Sequence, residues 1–378
     1  MKKIVIIPDS FKGTLSSSQI GTIMKDKVLE YYPECEVVSI PVADGGEGSV
    51  DCFLTALGGK KIHTVVKGPF FEDMGSFYGI IDGGNTAVVE MAACAGLPLV
   101  GDKKDPRITT TYGVGQLILE AAKQGVKKVI VGLGGSCTND GGCGAAAAVG
   151  VKFFNREGKS FVPVGGTLKE IVKIDVSDVS DVLKDVEIIT MCDIDNPMYG
   201  NSGAAYVFGP QKGATPEMVQ LLDEGVENLS EVINKDLGMD LAKVAGTGAA
   251  GAMGAGMIAF FHSKLQMGIE TVLDTVSFDE IIADADMIFT GEGKIDSQSL
   301  RGKVVMGVAG RAVKQNVPVI VVVGGAERDI DGVYASGVTA IFSINRMPES
   351  FDVSKFKSIE NMTFTIDNIM RLIKCAGK

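Results

Sequence analysis

Short apolar runs recur along the chain, and nearly every one ends on a glycine or an acidic residue. Lys3-Ile4-Val5-Ile6-Ile7 leads into PDSFKGT, after which SSSQIGTIMKDKVLEYY reads as a helix, with serine at its start and Pro33 beyond its end. EVVSIPV (Glu36 to Val42) predicts a second strand, followed by ADGGEG, and Ser49 to Leu57 a short helix stopped by Gly58-Gly59. Continuous apolar strands alternating with helices point to a parallel sheet covered on both faces. The same grammar returns near the other end: Met287-Ile288-Phe289 before TGEGKIDSQ, a helix near Val304 to Gln315, then Pro318 to Val323 before GGAERD. A further strand is expected over Ala340 to Ile344, and mixed strand and helix over Ile359 to Ala376.

The middle reads differently. From residue 61 to about 130, pieces such as KIHTVVKG and FYGIIDGGNTAVVEM alternate and are rich in turn residues, which suits antiparallel strands with polar faces. The pattern therefore predicts an α/β chain in two domains. One is a discontinuous, doubly wound parallel-sheet domain of residues 1–60 plus 286–378, and the other a mixed α/β domain, 61–285, inserted into it.

Ligands of open parallel sheets bind outside the carboxyl ends of the strands, so the residues just after each strand carry the candidate chemistry. They are Asp9, Ser10 and Lys12; Asp44, Gly45, Gly46 and Glu47; Gly134, Gly135, Asn139 and Asp140 after VKKVIVGL; Asp193, Asp195 and Asn196 after VEIITMC; and Gly291, Glu292, Lys294 and Asp296 after MIF. Each group has a plainer explanation. A turn needing positive φ and a helix cap accounts for DGGEG, and a capping or salt-bridge role for Asp193. GGSCTNDGGCG, however, holds more polar residues between its glycine pairs than one turn requires. Glycine-rich turns free N–H groups to wrap a phosphate, and carboxylates beside them can hold Mg²⁺. Together these loops suggest phosphoryl transfer.

Composition narrows the field. Glycine supplies 49 of the 378 residues, well above the usual ~7%, yet no G-X-Y period runs through the chain and the glycines lie between apolar runs. Neither collagen nor low-complexity disorder fits. The net charge of −11 argues against a nucleic-acid partner. The uncharged, largely apolar stretch Ala245 to Phe261 has 17 residues and five glycines, short of the ~20 apolar residues of a membrane span. Pro8 and Asp9 end the first apolar run too early for a signal peptide. Seven scattered cysteines without a C-x-x-C pair suit a reduced, cytoplasmic setting in which they act as small buried apolar residues.

Two standard nucleotide signatures are missing or misplaced. No GxxxxGK[ST] occurs, and Gly246-Thr247-Gly248-Ala249-Ala250-Gly251 matches G-x-G-x-x-G without a buried strand before it, which suits a closely packed helix start better than a dinucleotide site. Protein-kinase signatures are absent. His63 and His262, the only histidines, read as structural.

PDSFKGTLSS, VADGGEG, TTYGVGQLI, GLGGSCTNDGGCG, CDIDNP, VFGPQKGATPE, GTGAAGAMG and TGEGKIDSQSLRGK nonetheless occur in the order and at about the spacing of the bacterial glycerate kinase family. The chain resembles that family over nearly its whole length, thinning beyond about residue 330. Thr14, Cys137, Cys143 and Lys294 are mild departures, standing where Ser, Ala, Ala and Arg are common. The resemblance implies a discontinuous flavodoxin-like (Rossmann-like) domain with a second α/β domain inserted, and an active site in the cleft between them. It also implies ATP- and Mg²⁺-dependent phosphorylation of D-glycerate at the 2-position, or in some members the 3-position. Alternatives are a kinase for another small hydroxy or sugar acid, or a non-catalytic relative.

On that reading Lys12 and Lys294 grip glycerate or the ATP phosphates, and Ser10, beside Asp9, donates a hydrogen bond. Asp193 is a base or a Mg²⁺ ligand. Asp296, grouped with Asp193 and Lys12 at the chemistry, would also share the metal with Asp44, Glu47 and Glu292. Gly45, Gly46, Gly134, Gly135, Asn139, Asp140 and Gly291 would wall the substrate and nucleotide.

Overall fold

The computed structural model describes residues 1–43, 45–295, 303–328 and 330–377. Among these the strands are, in chain order, β1 (Lys3–Pro8), β2 (Glu36–Ser39), β3 (Lys60–Lys67), β4 (Asp73–Ile81), β5 (Thr86–Glu90), β6 (Lys128–Gly132), β7 (Lys152–Phe154), β8 (Ser160–Phe161), β9 (Lys173–Asp175), β10 (Glu187–Met191), β11 (Lys264–Gln266), β12 (Met287–Ile295), β13 (Val319–Ala326) and β14 (Val338–Ser343). They fall into two compact units: Met1–Ala43 with Ile269–Lys378, and Asp44–Gly268. Both divisions lie earlier in the chain than the sequence pattern places them. Helix Ser49–Leu57 joins the second unit because Val50 and Leu54 pack on Gly79 of β4, where a Cβ would meet Val50 Cγ1 at 3.0 Å. Helix Phe278–Ile282 joins the first, tied by Asp279 to Arg311.

In the first unit the sheet order is β14-β13-β12-β1-β2, and every pairing is parallel. Counted within the unit this is the flavodoxin order 2-1-3-4-5, with its switch point between β1 and β12. The sheet is covered on both faces: Ile4 and Ile6 point one way, Val5 and Ile7 the other, and all four are fully buried. Helix Ser17–Tyr31 starts on a capping box, Ser16 Oγ accepting from Gln19 N while Gln19 Oε1 accepts from Ser16 N. Its Ile20, Met24 and Val28 pack with Met362, Ile366, Ile369 and Met370 of helix Ser358–Ala376. The final segment is thus a single helix, where mixed strand and helix were expected. Its apolar residues recur at three and four, the spacing of one buried helical stripe. β2 is also shorter than expected, ending at Ser39 just ahead of Pro41, whose missing N–H cannot extend a ladder.

The second unit holds a six-stranded sheet, β11-β10-β6-β5-β4-β3, and a small antiparallel sheet, β8-β7-β9. The expected antiparallel pairing holds for β3, β4 and β5, but β5 then runs parallel to β6, and β6, β10 and β11 continue in parallel. Helices Tyr112–Lys123, Pro216–Leu237 and Ala249–Phe261 bury Leu117, Val226 and Met253 in its core, where Phe153 and Phe260 meet edge to face at 5.6 Å. Five of the seven cysteines, at 35, 94, 137, 143 and 192, are buried, as their reading as small apolar residues predicts. Among the described residues no helix is long and apolar enough to cross a membrane.

One polar fastener stands out in the first unit. Arg311, on helix Val304–Lys314, donates to Glu270 and Asp274 at 2.6 Å and to Asp279 at 2.7 Å, so its guanidinium ties three carboxylates of two preceding helices. Arg311→Ala should lower the unfolding free energy by about 2 kcal/mol, the scale of hydrogen bonds to charged groups, read as a shift in urea midpoint at constant m-value.

Candidate active site

The first unit gathers its polar groups at the switch point. β1 and β12 pair from Ile4↔Met287 to Pro8↔Gly291, and Asp9 N continues the ladder by donating to Gly291 O at 2.8 Å. The chain then doubles back on itself: Phe11 and Leu15 exchange backbone hydrogen bonds around Gly13, whose φ of +80° a side chain would strain. This tight turn exposes Lys12 and leaves Ser10 half-buried, with Ser10 N donating to Asp9 Oδ1 at 2.6 Å. On the neighbouring strand the sequence pattern puts a loop after MIF, but β12 continues through Ile295, paired with β13 at Glu292↔Val323, Lys294↔Gly325 and Ile295↔Ala326. Glycine makes that extension possible, since a Cβ at Gly291 would lie 2.0 Å from Val322 O. Gly291 is therefore a packing glycine inside the strand. Glu292 and Lys294, two residues apart, share one face of the pleat.

These residues line a cavity of about 590 Å³. Asp9, Ser10, Lys12, Glu292 and Lys294 are on its wall, with Lys303 and the Gly324-Gly325 pair. Glu292 is 4% exposed, its Oε2 3.9 Å from Lys303 Nζ, and Lys294 Nζ pairs with Glu327 Oε1 at 2.5 Å. Sequence reasoning missed Lys303, although it closes the SLRGK end of a motif already singled out. Gly324 and Gly325, in the GGAERD segment at the end of PVIVVV, could have been found by the rule that located the other loops. Asp44 and Asp296 lie outside the described residues.

The second unit brings together Gly45, Gly46, Gly134 and Gly135. Gly134 N donates to Gly45 O at 3.0 Å, and a Cβ on Gly134 would fall 2.5 Å from Gly46 Cα. The two glycine-rich turns lie main chain on main chain. Glu47 is exposed beside them. Glu90, at the end of β5 and missed by sequence reasoning, is 2% exposed, and its Oε2 accepts from Val50 N at 3.1 Å. Burial pushes its carboxyl up, against the pull of the Val50 and Gly48 N–H groups. Only its place at a strand end could have signalled it.

Asp140 has no face toward solvent. Its carboxylate accepts from Thr111 N and Oγ1 at 2.8 Å and from Gly142 N and Gly144 N at 3.2 Å, stitching helix Cys143–Ala148 to Thr111. Burial raises its pKa even against these donors. Asn139 is equally buried, yet neither side-chain amide atom finds a partner among the described residues, and nor does Thr138 Oγ1. Lys212, from the VFGPQKGATPE motif, reaches this loop and donates to Thr138 O at 2.6 Å. It is 2% exposed, and burial pulls its ammonium down to about 8, with Cys137 and Asp140 opposing. Asp193 differs from this group: it is exposed, and its Oδ1 accepts from Gly268 N at 2.6 Å. Asp195 is exposed, while Asn196 donates to Ser202 O. Among the described residues no three His, Cys, Asp or Glu side chains converge as a metal cage.

A flavodoxin-ordered parallel sheet with lysines and a buried carboxylate at its switch point defines a class of α/β proteins that hold anionic ligands at the strand ends. The comparisons make this specific. A sequence model described as the glycerate kinase family matches residues 4–374. A glycerate kinase of Bacillus cereus is 43% identical over 100% of this chain and 99% of its own length, and a glycerate 2-kinase of Escherichia coli K12 is 44% identical over 90% of each. A crystal structure from Salmonella typhimurium LT2, assigned there provisionally as a glycerate kinase 2, is 39% identical and superposes with a TM-score of 0.87 over 100% of this chain and 99% of that one. The chain belongs to the glycerate kinase family and is a kinase.

Lys212 gives this description a test. With a folded pKa of about 8 and an ordinary value of 10.5, the unfolded chain holds the extra proton between those pH values, so stability rises with pH across that window. Below about pH 8 both states are charged and the burial penalty is felt in full. Relative to Lys212→Met, wild type should therefore gain on the order of 2 kcal/mol between pH 7.5 and pH 10, measured by urea denaturation of both proteins. A difference independent of pH would remove the charged, buried lysine from the account.

Proposed function

We propose that the protein transfers the γ-phosphoryl group of ATP to the 2-hydroxyl of D-glycerate, giving 2-phosphoglycerate and ADP, with Mg²⁺ accompanying the nucleotide. The observation that supports this most is the first-unit cavity, which combines four lysines (Lys12, Lys294, Lys303 and Lys355), a glycine pair and one buried carboxylate at a sheet switch point. Lysines suit the charge of the phosphates, and glycine backbone lets a phosphate approach closely. A similar E. coli protein named for the 2-position favours that regiochemistry.

In the transfer the bond from the γ-phosphorus to the β,γ-bridging oxygen breaks and a bond to the glycerate oxygen forms, so the protein must neutralise phosphate charge and receive the hydroxyl proton. Lys12, Lys294 and Lys303 supply positive charge. Asp193, exposed and ionisable, is assigned to the proton. Mg²⁺ commonly binds through one or two carboxylates plus substrate phosphates, without an all-protein cage. The residues present fit that habit, with Glu292 as the carboxylate; bound there, the ion would screen the charge on the phosphates. ATP supply and buried thiols suit a cytoplasmic enzyme.

Asp193→Asn isolates charge from structure, because the amide oxygen still accepts from Gly268 N. It should lower kcat at least ~100-fold, the low end for a general base, with the circular dichroism spectrum unchanged. Near-normal turnover would take Asp193 out of the mechanism. Lys12→Ala should raise the KM of ATP or of glycerate at least ~10-fold, the scale of a lost charge-assisted contact. ³¹P NMR of the product formed from ATP, Mg²⁺ and D-glycerate tests the reaction and its regiochemistry together: a 3-phosphoglycerate resonance would correct the position, and no product would overturn the reading.

A further inference from the structure

The cavity of the first unit is larger and chemically more varied than a phosphate chain or a three-carbon acid requires. Its 590 Å³ lies within the ~300–1,000 Å³ range of pockets that bury drug-sized ligands. Besides the lysines, glycines and carboxylate, a second kind of lining comes from the segment after β14: Ile344, Asn345, Phe351, Ser354 and Ser358. Helix Phe351–Ser354 and the start of helix Ser358–Ala376 are anchored there, since Ser354 and Ser358 are both buried. Phe351, at the head of that anchored segment, is nevertheless 61% exposed, with its Cζ only 3.9 Å from where a Cβ on Gly13 would stand. An aromatic face thus borders the cavity beside the turn that carries Lys12.

Asn345 is held in a defined orientation. Its side-chain nitrogen donates to Gly324 O, and its backbone nitrogen donates to Ser343 Oγ at 3.1 Å. The side-chain oxygen accepts no hydrogen bond among the described residues. An oriented acceptor beside an exposed ring and an apolar wall matches a flat heterocycle that bears an amine. The same residue touches the Gly324-Gly325 pair, so the two kinds of lining are contiguous.

We propose that this part of the cavity is the subsite for the adenine base of the nucleotide, with Phe351 stacking on the ring and Asn345 Oδ1 accepting from the exocyclic amine. The inference rests on the ATP reading above and adds to it where the nucleoside lies. It assigns a binding role to the stretch of chain that carries no recognised motif.

Steady-state kinetics of the intact enzyme test it. In Phe351→Ala the KM for ATP should rise about 10-fold, within the ~5- to 150-fold that loss of one base–aromatic stack produces, while the KM for D-glycerate stays within about two-fold. Phe351→Tyr should restore the wild-type value, and Asn345→Ala should reduce preference for ATP over GTP. Adenosine should inhibit the Phe351→Ala enzyme about 10-fold more weakly than wild type, with inhibition by tripolyphosphate unchanged. An unchanged KM for ATP in both alanine variants, or a rise confined to glycerate, would overturn the subsite. Wild-type enzyme that turns over glycerate only with a different phosphoryl donor would instead overturn the ATP reading, and this inference with it.

Discussion

Close approach of bare main chain is the constraint on which both polar clusters depend. In the second unit a Cβ on Gly132 would fall 2.2 Å from Gly45 O, and one on Gly134 2.5 Å from Gly46 Cα. In the first unit a Cβ on Gly324 would fall 2.4 Å from Gly293 O. No side chain tolerates such distances, so an alanine at any of these positions must push two segments apart. What the glycines achieve is to bring the ends of strands and the turns after them into direct contact, with N–H and C=O groups, lysines and a few carboxylates as the remaining furniture. The glycine excess of the chain is accordingly a packing requirement first. Its service to a ligand follows, because a wall made of backbone is the surface a phosphate can approach most closely.

The part of the fold legible in the sequence was the part governed by local pattern. The helices Ser17–Tyr31, Ser49–Leu57 and Val304–Lys314 and the strands β1 and β13 follow from apolar period and punctuation, and so does the chain-end sheet they build. Where the reading departed from the structure, a non-local contact decided. β12 runs on through GEGKI because β13 pairs with it residue by residue, which no property of GEGKI announces. Helix Ser358–Ala376 was obscured by Thr363 and Thr365 and by β-branched isoleucines, and helix Ser17–Tyr31 supplies the partner that fixes its buried stripe.

The site shows the same division. Asp9, Ser10, Lys12, Glu292 and Lys294 were found because they sit at or near the ends of adjacent strands, a position that pattern reveals. Lys303, Asn345 and Phe351 reach the same cavity from a helix start, a strand exit and a four-residue helix. Lys303 and Phe351 stand where no rule about the first turn after a strand looks, whereas Asn345 directly follows the expected strand Ala340 to Ile344 and was passed over. Asp140 illustrates the opposite case. Its spacing in GGSCTNDGGCG marks it, but its four donors are all protein groups, so its carboxylate acts as a fastener for Thr111 and helix Cys143–Ala148.

The unfavourable terms of the second unit concentrate around that fastener. Ala250, Gly251 and Ala252 form a left-handed turn, with φ of +54°, +71° and +65°, where each alanine costs about 1–2 kcal/mol. The turn is held against the Thr138–Asp140 loop: Gly141 N donates to Gly251 O at 3.0 Å, and a Cβ on Gly251 would meet Thr138 O at 2.1 Å. On the same loop Asn139 buries an amide with no partner among the described residues, and Lys212 buries an ammonium. Apolar side chains at 139 and 212 would avoid the two burial costs, though not the backbone strain at Ala250 and Ala252. Strained backbone and buried polar groups persist only where the surroundings over-determine them, and such features cluster at functional sites. Here the surroundings are the helix start at Ala249, the Asp140 fastener and the Lys212 tie, which together fix the loop's main chain from three directions. Rigidity of GGSCTNDGG is therefore the property this part of the fold maintains at the expense of stability, and a loop so held presents its backbone groups in one arrangement.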